Sequence, residues 1–308
     1  MKLKVASLFS GAGGLDLGFK LAGHKIVWAN DIDRDSTETY KKNIGKEIIW
    51  ESIVNVYPDS IPDFDILIGG FPCQGFSRAN IHRVDKDERN SLYVYVVAIL
   101  RAKRPKFFLL ENVKGIMSLN NGEDFREIKL ALEESGYSIQ YKVVNAADYG
   151  VPQSRIRVII VGIREDLWTK FNYEFPEPTH TKDGKVLPRW ASIGDALSGI
   201  PNPDKPNALL NHIYSNYKVV NRDFTGHRIT DPNKPSPTIL ARGNGGGGVC
   251  AIPHPNNMRR LTVRESACIQ TFPLDFEFHG GLMSMYRQIG NAVPVMLGKA
   301  LASGFKKR

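Results

Sequence analysis

Short, almost purely apolar runs alternate with amphipathic stretches through the first half of the chain. VASLF (5–9), KIVWAN (25–30), FDILIGG (64–70), KFFLLENV (106–113), SIQYKVV (138–144) and RVIIVGI (157–163) are such runs. Continuous apolar character over that length predicts strands buried on both faces, as in a parallel or mixed sheet covered by helices. Between them, LDLGFKLAG and LYVYVVAILRAKR carry helical spacing, and GEDFREIKLALEESG ends on a glycine that suits a helix cap. Strands alternating with helices predict an α/β domain with a doubly wound, mostly parallel, Rossmann-like sheet.

The texture changes after about residue 165. Eleven of the 18 prolines fall between Pro176 and Pro255, and RGNGGGGV (242–249) is a glycine run. Loops and short strands are expected there, with few long helices. Regular patterning returns in LTVRESACIQTF (261–272), a helix starting near Thr262. The tail PVMLGKALASGF (294–305) reads as a closing helix with Pro294 in its first turn. The expected organisation is a first domain over 1–174, a smaller loop-rich region over 175–258 and a return segment over 259–308.

Charge narrows the partners. The 308 residues hold 41 Lys+Arg against 32 Asp+Glu, a formal +9 that suits a polyanion such as nucleic acid. The three cysteines, Cys73, Cys250 and Cys268, are odd in number and show no C-x-x-C spacing. Neither a disulfide framework nor a cysteine metal site is expected, and a reducing, cytoplasmic setting fits. No apolar stretch reaches the roughly 18–20 residues that a membrane span needs, and the N-terminus reads as a first strand rather than a signal peptide.

Candidate chemistry collects where strands end. SLFSGAGGLDLGF places Gly11, Gly13 and Gly14 directly after the first strand, where backbone amides can approach a ligand. The dinucleotide fingerprint would need glycine at position 16, which is Asp16, so a nucleoside-bearing cofactor suits the turn better than a pyrophosphate. Asp31 closes the second strand, where such folds meet ribose hydroxyls. A tight strand–helix turn explains the same glycines.

Cys73, in GGFPCQGFS, follows a buried strand at the ligand-binding end of the sheet, and Pro72 stiffens the approach. Glu111 and Asn112 close another apolar strand. Gln153, Arg155 and Arg157 recur at period two, which puts them on one face of a strand start. Taken singly, the cysteine could be a small buried hydrophobe, Glu111 a solvated strand end, and the arginines a surface ion-pair set.

Together, FSGAGG, GGFPCQGFS, ENVKG, QSRIR, RRLTVRESACIQTFP and GNAVP resemble the cytosine-5 DNA methyltransferases of prokaryotic restriction-modification systems. The resemblance runs in the family's usual order from residue 5 to about 300, interrupted by the proline- and glycine-rich region.

The resemblance implies transfer of a methyl group from S-adenosylmethionine to carbon 5 of cytosine in double-stranded DNA, leaving S-adenosylhomocysteine and needing no metal. It implies Cys73 as the nucleophile that adds to carbon 6 of a flipped-out base. Glu111 would contact N3 and the exocyclic amine, and Arg157 with Arg155 would hold O2. Cofactor positions carry over onto Phe9, Gly11, Gly13, Asp31, Ile32, Ser52, Ile53, Pro72, Leu92, Asn291 and Val293. Two departures stand out: Asp31–Ile32 replaces the usual glutamate–aromatic pair, and Ser52–Ile53 replaces the Asp–Ile pair that meets the adenine.

Region 175–258 takes the place of the target-recognition module, with Arg222, Arg228 and Arg242, alongside Gln74 and Ser77, expected to touch DNA. A monomer associated with the nucleoid is the expected working state. A tRNA cytosine-5 methyltransferase and a non-enzymatic DNA-binding relative are the competing readings. The intact Cys73, Glu111, Arg155 and Arg157 set argues against the second.

Overall fold

A computed structural model describes residues 1–72, 92–215, 230–241, 251–255 and 259–308. Cys73, Gln74, Ser77, Arg222, Arg228, Arg242, Cys250 and the glycine run therefore lie outside the described residues.

The first half alternates as its pattern predicts. In chain order it runs β1 (Lys4–Leu8), α1 (Gly14–Leu21), β2 (Lys25–Asp31), α2 (Arg34–Asn43), β3 (Ile48–Trp50) and β4 (Ile66–Gly69). Then come α3 (Leu92–Lys103), β5 (Phe107–Val113), α4 (Glu123–Glu133), β6 (Tyr137–Asn145), β7 (Ile156–Arg164) and β8 (Phe171–Tyr173). The six apolar runs are six strands of one seven-stranded sheet, ordered β3-β2-β1-β4-β5-β7-β6. The strands β3, β2, β1, β4 and β5 pair in parallel, and β7 runs antiparallel to both β5 and β6. Strand order reverses between β1 and β4, so the loops after these two strands diverge and leave a crevice at their carboxyl ends.

Two cores cover the two faces. On one, Leu15 and Phe19 of α1 join Leu297 and Leu301 of the C-terminal helix against Val5, Ile66, Leu109 and Val161. On the other, Val97 and Leu100 of α3 and Ile128 and Leu132 of α4 pack on Leu8, Leu67, Phe108 and Ile160. Successive residues of β5 thus feed opposite cores, which is why its sequence shows no polar alternation.

The remaining elements are α5 (Ile193–Leu197), α6 (Val263–Ile269), α7 (Leu282–Asn291), α8 (Val295–Ala302) and β9 (Phe305–Lys307). Between 174 and 262 the described residues hold α5 and isolated bridges, in keeping with a loop-rich reading. α6 starts at a capping box: Glu265 N–H donates to the Thr262 hydroxyl at 3.0 Å, and Thr262 N–H donates to the Glu265 carboxylate at 2.8 Å. α8 begins one residue later than the proline suggests, with Pro294 at the cap itself.

A third core joins Tyr40 of α2 and Ile44 at its C-cap to Ile193, Ile239, Val263, Phe272 and Met285. It fastens the loop-rich part to the sheet domain. Arg264, fully buried, donates to the carbonyls of Leu210, Pro273 and Phe276 at 2.9, 3.0 and 2.6 Å, which ties two loop segments to α6. At the far end β9 pairs with β8, Tyr173 opposite Phe305, so the C-terminal segment closes onto residues 171–173.

Candidate active site

A cleft of ≈ 970 Å³ opens at the carboxyl ends of β1, β2, β4 and β5. Its floor begins at the glycine turn after β1. Phe9 adopts φ 53°, and Gly13 adopts φ 83° as the N-cap of α1. That left-handed conformation suits glycine at residue 13, where a Cβ would also strike Ile44 and Tyr40. Phe9 has no such freedom, and a strained non-glycine residue of this kind typically marks a functional turn. Gly14 lies so close to Val293 that a Cβ would come within 2.3 Å of its carbonyl oxygen, which brings the C-terminal segment to the cleft.

Phe9, Gly11, Asp31 and Ile32 line one wall of the cleft, continued by Ser52 and Ile53. Pro72 and Leu92 line it on the β4 side, and Asn291 and Val293 from the C-terminal segment. Gly13 is not among the lining residues; its part is to turn the chain into α1. Asp31 accepts hydrogen bonds from the backbone N–H of Gly11 at 2.7 Å and of Asp33 at 2.8 Å. Those bonds orient the carboxylate, while burial raises its pKa above the ordinary value despite them. Ile32 is 70% exposed, and its carbonyl accepts from Trp50 Nε1 at 2.9 Å. The Ser52 side chain makes no capping bond to the turn that follows.

The same cleft continues to Glu111, Arg155 and Arg157. β5 carries Glu111 as the fifth of its seven residues, and the antiparallel register sets Arg157 opposite Val113. Arg157 Nε lies 2.8 Å from Glu111 Oε1, with both side chains 11% exposed. The contact is an ion pair without hydrogen-bond alignment, which leaves Glu111 Oε1 without a donor among the described residues. Asn112 beside it donates to the carbonyl of Phe71 at 3.1 Å, and Gly70 packs against the Glu111 carboxylate. The chain leading to Cys73 is thereby anchored on β5, with Pro72 at the cleft wall.

The period-two arginine motif divides its labour. Of the three, only Arg157 stands on β7; Gln153 and Arg155 precede the strand and are buried. Gln153 donates to Gln270 Oε1 at 2.9 Å and accepts from Ile239 N–H at 3.0 Å. Arg155 donates to the carbonyls of Ile239 and Gly290 at 3.3 and 3.1 Å, while its Nε has no partner among the described residues. Burial, reinforced by the Arg157 charge, pushes the Arg155 pKa down to about 9, so it stays protonated at neutral pH.

Sequence reasoning passed over two further groups. Asp33, at the N-cap of α2, pairs with Arg287 of α7 at 2.8 Å at the rim. Asp16 sits in the cleft wall with no exposed surface. The signal for the first was the short-range cap pattern; for the second it was an acidic residue inside an otherwise apolar α1 stretch. Among the described residues no cluster of His, Cys, Asp and Glu could hold a metal ion, and no helix is long and apolar enough to cross a membrane.

Similarity to known proteins extends over almost the whole chain. Residues 3–307 match the family of C-5 cytosine-specific DNA methylases. The chain is 41% identical to the Type II methyltransferase M.NgoFVII of Neisseria gonorrhoeae, over 95% of this chain and 83% of that protein. It is 38% identical to the Type II methyltransferase M.FnuDI of Fusobacterium nucleatum, over 99% of this chain and 94% of that protein. The fold superposes with TM-score 0.76 and 25% identity on an Escherichia coli prophage protein described as a DNA modification methyltransferase, over 98% of both chains. It resembles the Schizosaccharomyces pombe Dnmt2 methyltransferase in fold, with TM-score 0.72 and 23% identity over 98% of both chains. The chain belongs to the C-5 cytosine-specific DNA methylase family.

Proposed function

We propose that this DNA cytosine-5 methyltransferase modifies one specific double-stranded sequence, through a covalent Cys73 adduct on a flipped-out cytosine, as the protecting enzyme of a Type II restriction-modification system. The observation that carries the reading is the continuity of the cleft: Asp31 stands at one end and the Glu111–Arg157 pair at the other, next to the segment leading into Cys73. A cytosine paired inside a duplex would reach Cys73 only when taken out of the stack.

The cofactor end fits a nucleoside with an amino-acid tail. Asp31, held by two backbone amides, offers free lone pairs to ribose hydroxyls. Ile32, Ile53 and Leu92 offer apolar surface, and Ser52 a hydroxyl. S-adenosylmethionine bound there supplies an electrophilic methyl group.

Carbon 5 of cytosine is a weak nucleophile within an aromatic ring. Addition of the Cys73 thiolate to carbon 6 makes carbon 5 an enamine carbon able to take the methyl group. Glu111 meets N3 and the exocyclic amine and relieves negative charge there, while Arg157 holds O2. Loss of the carbon 5 proton then expels Cys73. Arg155, spent on two carbonyls, positions the segment around Ile239 rather than the base.

Region 175–258 reads the target. Its support is the loop-rich build and the placing of Leu240 and Ala241 in the cleft wall, just before Arg242. Incubation with tritium-labelled methyl donor and either unmethylated plasmid or bulk tRNA tests the substrate. Label in DNA, mapped by bisulfite sequencing to one recurring sequence, is expected. Label confined to tRNA, or scattered without context, overturns the reading.

A further inference from the structure

The charges around the cleft are unevenly matched. Arg157 is paired with Glu111 and Arg287 with Asp33, each at 2.8 Å, while Arg155 is held by carbonyls. Asp31 and Asp16 have no cationic partner among the described residues. Asp31 is satisfied by backbone N–H groups.

Asp16 accepts from two side-chain hydroxyls, Tyr40 at 2.9 Å on one oxygen and Ser7 at 3.0 Å on the other. Ser7 is itself bridged to Ser10, at 2.9 Å between the two hydroxyls. This carboxylate is wholly buried in an apolar helix face. An isolated buried acid normally stays neutral or finds a cation. Burial raises its pKa to about 6, opposed by the two hydroxyl donors and assisted by Asp31, so it is ionised at neutral pH.

We propose that Asp16 discriminates between the cationic methyl donor and its neutral sulfide product, by presenting an uncompensated carboxylate in the cleft wall. The proposal rests on the cleft being the S-adenosylmethionine site. That donor carries a sulfonium and a net charge of one, which transfer removes. A fixed negative charge in a water-poor wall therefore stabilises the donor selectively and lets the product go. The hydroxyls of Tyr40 and Ser7 keep the acid ionised without neutralising it, as an arginine or lysine partner would. Tyr40 and Asp31 are the titratable groups that act on Asp16.

Calorimetric titration of the full chain with S-adenosylmethionine and separately with S-adenosylhomocysteine, at pH 7.5, tests this without turnover. Asp16→Asn keeps the shape and removes the charge. It is expected to weaken donor binding on the order of tenfold, as an attraction across a partly screened site allows, while product affinity stays within about twofold. Equal losses for both ligands, or an unchanged ratio, would overturn the proposal and leave Asp16 a packing residue. Failure of either ligand to bind the wild-type chain would instead overturn the cofactor reading itself.

Should Asp16→Asn not fold, Tyr40→Phe serves. Loss of one hydroxyl donor raises the Asp16 pKa further, so the pH at which donor preference appears must move upward while Asp31 stays as it was. An unmoved midpoint contradicts the proposal.

Discussion

At the scale of single residues, the pair formed by Glu111 and Arg157 is the most informative contact in the cleft. Glu111→Gln retains size and one acceptor but cannot supply a carboxyl proton to N3. Methyl transfer should slow by roughly 10²–10⁴-fold, with donor binding unchanged by calorimetry. An unaltered rate would reduce Glu111 to a strand end.

Ser52 bears on the other end. If the usual aspartate makes a charged bond to the adenine and Ser52 a neutral one, Ser52→Asp should tighten cofactor binding by about 1 kcal/mol. No change in calorimetric affinity removes that idea. Much of the cleft was legible residue by residue, because glycine turns and acidic strand ends carry their chemistry in local sequence. Asp16 was not: its burial depends on Tyr40 of α2 and Ser7 of β1, partners 24 and 9 residues away.

At the scale of elements, the long apolar strands and α1, α3 and α4 were readable from period alone. α2 and α7 were not foreseen. α2, RDSTETYKKN, shows a nearly unbroken polar sequence, and its buried positions are Ser36, Thr37, Thr39 and Tyr40. Small hydroxyl residues satisfied inside a core leave no hydrophobic stripe to recognise; Thr39, for instance, donates to Gln288 of α7 at 2.7 Å.

The reading of Gln153, Arg155 and Arg157 as sharing one face of a strand start has a similar limit. Period two foretells a shared face only where the backbone is already a strand, and β7 starts at Ile156. Burial assigns Arg155 a joining role, which stability should report. Arg155→Met leaves the Ile239 and Gly290 carbonyls without their donor and should cost about 1–3 kcal/mol in denaturant unfolding. Thr262→Ala removes the cap of α6 and should cost about 1 kcal/mol. A neutral Arg155→Met variant would show that these carbonyls find other partners.

At the scale of the whole molecule, the placing of FSGAGG, GGFP and ENV was legible because they fall at the ends of β1, β4 and β5. The closure by β8 and β9 was not, since three-residue strands carry too little pattern to stand out. The formal +9 points to phosphate contacts, which make DNA affinity fall with salt. Arg242→Ala separates two roles for the recognition region. If Arg242 reads a base, specificity should relax at one base pair at a cost of about 1–3 kcal/mol. If it meets only phosphate, all DNA should bind more weakly and the salt slope should drop by about 1.

The central claim, covalent catalysis by Cys73 at the Glu111–Arg157 end of the cleft, has one direct test. Duplex DNA carrying 5-fluorocytosine at the mapped target, incubated with enzyme and S-adenosylmethionine, cannot lose a carbon 5 proton after methylation. The account predicts a stable protein–DNA adduct, with mass spectrometry placing the linkage on Cys73 and Cys73→Ser giving none. Methyl transfer to ordinary cytosine without any trapped adduct on the fluorinated duplex, or an adduct on another residue, would contradict it.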